Sequence, residues 1–480
     1  MQEEDYQKLG FKCGLEIHQQ LDTNKLFCSC PSVLRQDEPD YSVERKLHAI
    51  AGESGEIDTA VGYEISLNKK FIYQGYNTNC LVELDEEPPH EINKDSLRIA
   101  LQIAILLKCK IFSATQIMRK TVINGSNTSG FQRTVLIAKD GFVETSSGKV
   151  KIESICLEED ATRIVEKKEN ETIYRLDRLG IPLVEITTAP DIKTPEQAKE
   201  AALYIGDILR SCKVKRGLGT IRQDVNISIK DGNRVELKGI QDMKIFVETI
   251  KNEVKRQLGL AEKKKPVSAE VRNALSDATT KFLRPMPGAE RMYPETDLPL
   301  LKISRDFINE AKKTLPKMKS DLKSEFKNKG LNQEMIKLLF KRNKVEEFKE
   351  FLKIIDNPNL IAKMFLVFPR EIASKKKTSV KEAEDKLEDY FIDVLNAVKN
   401  KKISDSEVKD VLDKILSGVS FDEAIKKESV DLKEIEEATA RIVREKPGLT
   451  KNAYMGLIMK EFKGKISGKD AAEIIKRLVK

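Results

Sequence analysis

Glu16 and His18 stand two residues apart in GLEIHQQL, one of the few places where an imidazole neighbours a carboxylate in a chain with three histidines. Strand side chains alternate with period two, so Glu16, His18 and Gln20 share one face and Leu15, Ile17 and Gln19 the other. The pattern recurs. In TIRQDVNISIK, Ile221, Val225, Ile227 and Ile229 oppose Arg222, Asp224, Asn226 and Ser228. In RVELKGI, Val235 and Leu237 oppose Glu236 and Lys238; in PLVEIT, Val184 and Ile186 oppose Glu185; in SICLEEDATR, Ile155 and Leu157 lead into Glu158, Glu159 and Asp160.

Each stretch therefore offers an acid on an open face, with few lysines between. One reading is the wet side of an antiparallel sheet. The other follows if the strands are neighbours, because like charges repel across a sheet unless a cation intervenes. Carboxylates with one imidazole suit Mg²⁺ or Mn²⁺, phosphate oxygens and water filling the remaining positions. Neither GxxxxGK[ST] nor GxGxxG occurs, so a nucleotide would be held in another way. MRKTVINGSNTSGFQR carries Arg119, Lys120 and Arg133 around a Gly/Ser/Asn-rich loop, which reads as an anion nest or as a solvated hairpin loop.

The elements that must position these residues follow from the texture of the chain. A length of 480 residues exceeds one compact core, and 40% hydrophobic content supports several. Up to about Leu300, short alternating runs and turn signals read as antiparallel strands with one packed and one open face, interrupted by helices at SLRIALQIAILLK and PEQAKEAALYIGDILRSC. AEKKKPVS, at Ala261–Ser268, reads as a loop. After about Ile303, lysine, glutamate and leucine dominate and the strand pattern vanishes. Ser404–Glu407 and Ser420–Glu423 read as capping boxes, Gly418 closes a short helix, and AYMGLIMKEFKGKISGKDAAEIIKRLVK gives two more helices. The expected fold is α+β: an antiparallel-sheet domain over 1–302, a helical domain over 303–402 and a small helical tail over 403–480.

The net charge of +8 permits an RNA or phosphate partner without requiring one. MQEEDYQKLG does not read as a signal peptide, and IALQIAILL is far short of a membrane span, so no membrane partner is expected. Seven scattered cysteines point to a reducing, cytoplasmic setting rather than a disulfide framework. Cys13, Cys109, Cys156 and Cys212 sit in apolar patterns as core residues, and His48 and His90 read as structural.

Taken together, GLEIHQQLDTNKLFCSCP, YNTNCLVELDEEPPHEIN, MRKTVINGSNTSGFQRT, ICLEEDATR, YRLDRLGIPLVEITTAPDIKTPEQA, GTIRQDVNISIK, VELKGIQDM and RMYPETDLPLL resemble, in order, the B/E subunit family of the tRNA-dependent amidotransferases. GLEIHQQLDT, LVELDEEPPH and NGSNTSGFQRT are most similar to its archaeal E branch. The resemblance covers about Gly10 to Leu301, and the C-terminal NAYMGLIMKEFKGKISGKDAAEIIKRL resembles the family's YqeY-like tail.

The resemblance implies a ligase that uses ATP and Mg²⁺ to phosphorylate the γ-carboxylate of glutamate esterified to tRNA(Gln). Ammonia from a partner amidase, an asparaginase-like D subunit, then displaces phosphate. The N-terminal domain would be a cradle for ATP, Mg²⁺ and the acceptor end, while the helical domains grip the tRNA body. Carried over by motif, Glu16, His18, Glu159, Glu185, Asp224 and Glu236 are the metal and phosphoryl-transfer residues, with Glu159, Glu185, Asp224 and Lys238 in catalytic roles. Arg119, Lys120, Ser129 and Arg222 would bind the nucleotide, Arg119, Lys120 and Lys238 facing phosphate or substrate carboxylate. Tail lysines Lys451, Lys460, Lys463, Lys465 and Lys469 would meet the tRNA backbone. Some relatives hold zinc with a C-x-C and a later CPVC. Here Cys28, Cys30 and Cys80 are present and Glu83 takes the fourth position, either a zinc site or a reduced, partly buried set of thiols.

One departure is clear. The family's archaeal E branch carries an aspartyl-tRNA-synthetase-like insert ahead of RPMPGAERMYPETD, and here only QLGLAEKKKPVSAEVRNALSDATTKFL fills that region. The competing expectations are a non-catalytic tRNA-binding scaffold and a B-type member of an A/B/C complex that also acts on Asp-tRNA(Asn).

Overall fold

A computed structural model describes residues 3–47, 68–217, 219–230, 232–286, 292–342, 344–426, 432–462 and 468–478. His48, Lys463 and Lys465 lie outside the described residues, as does the side chain of Lys469. The chain divides into two compact units, Met1–Lys319 and Ser320–Lys480.

The first unit is built on a large sheet. Its main strands are β1 (Lys12–Gln20), β2 (Ile117–Thr121), β3 (Phe131–Thr145), β4 (Gly148–Glu159), β5 (Pro182–Thr188), β6 (Ile221–Ser228), β7 (Val235–Lys238), β8 (Glu270–Ala274), β9 (Thr280–Pro285) and β10 (Met292–Pro294). They lie in the order β9-β8-β7-β6-β1-β5-β4-β3-β2-β10, so the chain's first strand is near the middle. Pairing is antiparallel except between β7 and β8, which the helix Phe246–Glu262 connects as a parallel crossover.

The alternation places the faces. Leu15, Ile17, Val184, Ile186, Val225, Ile227, Val235, Leu237, Ile155 and Leu157 are all buried in one core. Apolar faces of three helices, Lys94–Leu106, Pro195–Ser211 and Phe246–Glu262, close over them. Asn93 and Thr194 cap the first two through side-chain oxygens, and Pro195 takes the first turn of the second. The opposite face of the sheet is left for polar residues.

A smaller sheet of Tyr41–Arg45, Lys70–Gly75, Glu171–Arg175 and Arg163–Lys167 has its own aromatic core of Phe71, Tyr73 and Tyr174. It braces the Gly/Ser/Asn-rich loop. Tyr174 donates to the carbonyl of Asn124 at 2.7 Å and Tyr73 to that of Gly125 at 2.8 Å. Gly125 has φ +85°, and a Cβ there would collide with the Phe71 ring, so only glycine fits.

The helical texture begins at Arg305, yet the helix Arg305–Lys313 contributes Ala311 to the core of the first unit. Within the second unit, one apolar cluster runs from Leu322 to Ala424 and a second from Ile435 to Ile475. The Ser404–Glu407 contact forms, with the Ser404 amide donating to Glu407 at 2.6 Å, but the helix starts one turn later, at Val408, so Ser404 is not its N-cap. Ser420 is at the N-cap position of its short helix, but its hydroxyl donates to the Glu423 carboxylate at 3.2 Å and makes no capping hydrogen bond to the backbone. Gly418 follows the helix Val408–Leu416 with φ +90°, as a helix-ending glycine should.

Candidate functional site

β1 lies between β5 and β6, and register brings the acids together. Glu16 is opposite Asp224, while His18 is opposite Arg222 on one side and Glu185 on the other. Residues paired in this way share a face. His18 Nε2 is 3.2 Å from Glu185 Oε2 and 3.5 Å from Glu16 Oε1. The ligand atoms of these three residues lie within 4.8 Å of one another.

Two lysines are interleaved with the acids, where few were expected. Lys120 Nζ is 2.7 Å from Glu158 Oε1 and 3.7 Å from Glu185 Oε2. Lys238 Nζ is 2.6 Å from Asp224 Oδ2 and 2.5 Å from Glu236 Oε1. The ammonium groups relieve part of the repulsion that a bare acidic face would suffer.

What remains falls on Glu16. Burial first, and then the charge of Glu185, push its carboxyl up to about 7. Burial also works against charge on Glu185, but Lys120 and His18 outweigh it and hold that carboxyl well below the usual range. For His18, burial favours the neutral ring, yet the hydrogen bond to Glu185 and the charges of Glu185, Glu16 and Glu158 raise it above its ordinary value. Burial opposes the charge of Lys238 as well, and Asp224 and Glu236 more than compensate. Glu16 is thus the donor of this set whose charge its neighbours do not fully compensate. Oxygen donors with one imidazole at this spacing fit a hard divalent cation such as Mg²⁺.

Glu159 is placed elsewhere. On β4 it alternates with Glu158 and follows the core-facing side of Ile155 and Leu157, where it is buried against Arg133. Burial raises its carboxyl above the usual range, against the pull of Arg133. With Ser129, Glu83, Asn127 and Thr128 it lines a small pocket that none of Glu16, His18 or Glu185 enters. Ser129 donates its hydroxyl to the carbonyl of Phe131 at 2.9 Å. The residue that joins the row through Lys120 is Glu158. Its signal lies in the alternation, since core-facing Ile155 and Leu157 put Glu158 on the open side.

Arg119 is likewise engaged away from the row. It pairs with Glu295 and, at 3.0 Å, with Asp297, and lies over the Phe131 ring. Glu295 also takes Arg133 Nε at 2.8 Å, so it latches β2 and β3 to the segment after β10. Nothing in the local sequence pattern gives Glu295 this task, because its two partners lie more than 160 residues earlier in the chain. Arg222 is bound to Asp160, 2.9 Å away.

Cys28, Cys30, Cys80 and Glu83 form a second cluster, with one ligand atom of each within 4.8 Å of the others. Cys28 Sγ donates to Glu83 Oε1 at 2.8 Å, and the fully buried Lys25 ammonium is 3.4 Å from the same oxygen. Burial and the Glu83 charge push the Cys30 thiol up to about 12. Three thiols and a carboxylate converging on one point match the ligand types and number of a tetrahedral zinc site. Cys13 and Cys212 are buried in the main core, and Cys109 packs against it. Cys156 differs: it pairs with Glu185 in register and is half-buried. His90 is at the surface beside Glu87.

Among the described residues no helix is long and apolar enough to cross a membrane. Residues 11–309 match the family described as GatB/GatE catalytic domain, and residues 346–479 match the GatB domain. The chain is 37% identical to the E subunit of the glutamyl-tRNA(Gln) amidotransferase of Methanocaldococcus jannaschii and 33% identical to that of Methanosarcina barkeri, each over 99% of both chains. The first of these alignments runs over 636 positions against a chain of 480 residues, so that relative carries residues this chain lacks. Over a shorter stretch, 57% of this chain and 44% of the relative, it is 53% identical to the corresponding protein of Methanococcus maripaludis.

Proposed function

This chain belongs to the GatB/GatE family of tRNA-dependent amidotransferases, and from that premise we propose how its own residues carry out the amidation of glutamate esterified to tRNA(Gln). The observation that carries the reading is the row of Glu16, His18 and Glu185 on one open face, flanked by Lys120 and Lys238.

A carboxylate is a poor acylating agent because oxide is a poor leaving group. An oxygen of the γ-carboxylate attacks the γ-phosphorus of ATP, ADP departs, and the substrate becomes a γ-glutamyl phosphate. Ammonia then attacks the γ-carbon, and inorganic phosphate leaves with the bonding pair. Phosphoryl transfer needs chiefly alignment and charge neutralisation. Glu16, His18 and Glu185, with Asp224 and Glu236 near by, would hold Mg²⁺, which would supply charge neutralisation for the phosphoryl group. Lys120 and Lys238 orient these acids and bring positive charge to the same face. Glu158 acts through Lys120. Glu159, in its separate pocket, acts through Arg133.

Nitrogen arrives as ammonia from a partner amidase, for which the asparaginase-like D subunit is the candidate. Cys28, Cys30, Cys80 and Glu83 would hold a zinc ion in a structural role. Metal analysis of the purified chain should return near-stoichiometric zinc, and Glu83→Ala should lose it; a zinc-free parent would leave the cluster as reduced thiols.

The test of the reading uses the full chain with ATP, Mg²⁺, ammonium and Glu-tRNA(Gln). Gln-tRNA(Gln) should form, with ADP and phosphate, and should fail to form when ATP is withheld. Binding of the tRNA with no amidation under any nitrogen supply would reduce the chain to a scaffold.

A further inference from the structure

Asp160 ends the acidic run of LEEDATR and is 1% exposed. Its Oδ2 accepts from Gln20 Nε2 at 2.6 Å. Its Oδ1 accepts from a terminal nitrogen of Arg222 at 2.9 Å and from the Ala161 amide at 2.9 Å. Arg178 Nε is 3.8 Å from Oδ2, and Arg178 is fixed by donating to the carbonyls of Ala161 at 2.8 Å and Thr162 at 2.6 Å. One buried carboxylate thus gathers two guanidinium groups.

The location ties this cluster to the candidate site. Arg222 is directly opposite His18 in the β1–β6 register, and Gln20 follows His18 on the same face of β1. Both arginines reach solvent, with side chains 35% and 24% exposed. Neutralising Asp160 requires one cation, and two are present. Burial, and then the nearby Arg222, hold Arg178 below its ordinary range in spite of Asp160 and Asp177. The Glu16, Glu185 and Glu158 carboxylates repel an anion elsewhere along the row. The backbone carbonyls take Nε and one terminal nitrogen of Arg178, and Asp160 takes one terminal nitrogen of Arg222; the guanidinium N–H groups that remain match phosphate oxygens.

We propose that Arg178 joins Arg222, for which the family resemblance already implies a nucleotide role, in a phosphate seat beside the His18 end of the acidic row, with Asp160 as the positioning residue that holds both. The ligand is a phosphate group, carried either by the nucleotide or by the backbone of the tRNA. The proposal rests on the amidation reading only for the statement that both ligands visit this face.

The test measures binding of MgATP and of Glu-tRNA(Gln) to the full-length chain and its variants. Arg178→Ala and Arg222→Ala should each weaken one ligand by about tenfold or more while the thermal midpoint stays near the parent's. Loss confined to MgATP assigns the seat to the nucleotide, and loss confined to tRNA assigns it to the backbone. Asp160→Asn should weaken the same ligand, and should add little once both arginines are gone, because it acts through them. Should Arg222→Ala not fold, Arg222→Lys keeps the charge and removes the fork; parental affinity in the lysine variant would overturn the seat. Binding of both ligands within about twofold of the parent in the two alanine variants would overturn it too. Weakened binding in variants of a chain that forms no Gln-tRNA would leave the seat standing and remove the amidation reading. An active parent whose variants bind normally would do the reverse.

Discussion

At the residue scale, the raised carboxyl of Glu16 makes the acidic row sensitive to pH, and the proposed cation site would make it sensitive to divalent cations as well. Its folded-state carboxyl lies at about 7 against an ordinary 4.5. Between those values Glu16 binds more protons in the folded chain than in the unfolded one, so its contribution to stability is fully present below 4.5 and is lost as pH rises through 7. The loss has an upper bound of roughly 3 kcal/mol. A divalent cation bound by ionised Glu16 counters it. Added Mg²⁺ should therefore raise the thermal midpoint more at pH 8 than at pH 5, and Glu16→Gln should abolish most of that difference; equal Mg²⁺ shifts at both pH values would remove Glu16 from the cation site. Glu185→Gln should lower phosphoryl transfer by about a hundredfold or more, since it removes a donor from a charge-stabilising site. The adjacent glutamates separate by face: Glu158→Gln should cost more activity than Glu159→Gln in steady-state assays, and the opposite ranking would return the role to Glu159.

At the element scale, the strands place these residues by alternation, and that is why much of the row was legible. Period-two runs with one packed face dictate which side Glu16, His18, Glu185, Asp224 and Glu236 occupy before any neighbour is known. Their convergence was less legible, because β1 meets β5 and β6 across more than 160 residues of intervening chain. Lys120 was legible as a cation beside the Gly/Ser/Asn-rich loop, but its place among these acids was hidden for the same reason, since β2 is three places from β5 in the sheet. The parallel β7–β8 pair left no local signal, and Glu159 was hard to place because three acids in succession at the end of a strand blur the alternation. Packing of β3 makes its own prediction. A Cβ on Gly141 would lie 2.5 Å from the carbonyl of Leu107 and would collide with Cys109 Sγ, where helix Lys94–Leu106 ends against the strand. Gly141→Ala should destabilise the first unit by about 1–3 kcal/mol, read from the denaturation midpoint at an unchanged slope.

At the scale of the whole molecule, the second unit places its cores differently from the texture of the sequence. Val408, Val411, Leu412 and Ile415 share a core with Leu322 and Phe391, so a truncation near Lys402 would open that core. The tail is better tested by ending the chain after Lys426, which leaves the cluster Leu322–Ala424 intact and removes Lys451 and Lys460, both exposed. If those lysines meet the tRNA backbone, KM for Glu-tRNA should rise and its salt dependence flatten while kcat falls little; an unchanged KM and salt slope would make them a solubilising surface. The purified chain should use free ammonium but neither glutamine nor asparagine, because its cysteines lie outside any glutaminase-type motif and its serines and lysines form no amidase pattern; product dependent on glutamine would reveal a second active site. The central claim, that this chain itself activates the γ-carboxylate on its acidic row, is tested most directly by phosphoryl transfer without any nitrogen donor. With ATP labelled at the γ-phosphate, Mg²⁺ and Glu-tRNA(Gln), label should pass to the glutamyl group and be trapped by hydroxylamine as the γ-hydroxamate, and Glu185→Gln should abolish it. Absence of hydroxamate from the parent, or equal hydroxamate from the variant, would contradict the account.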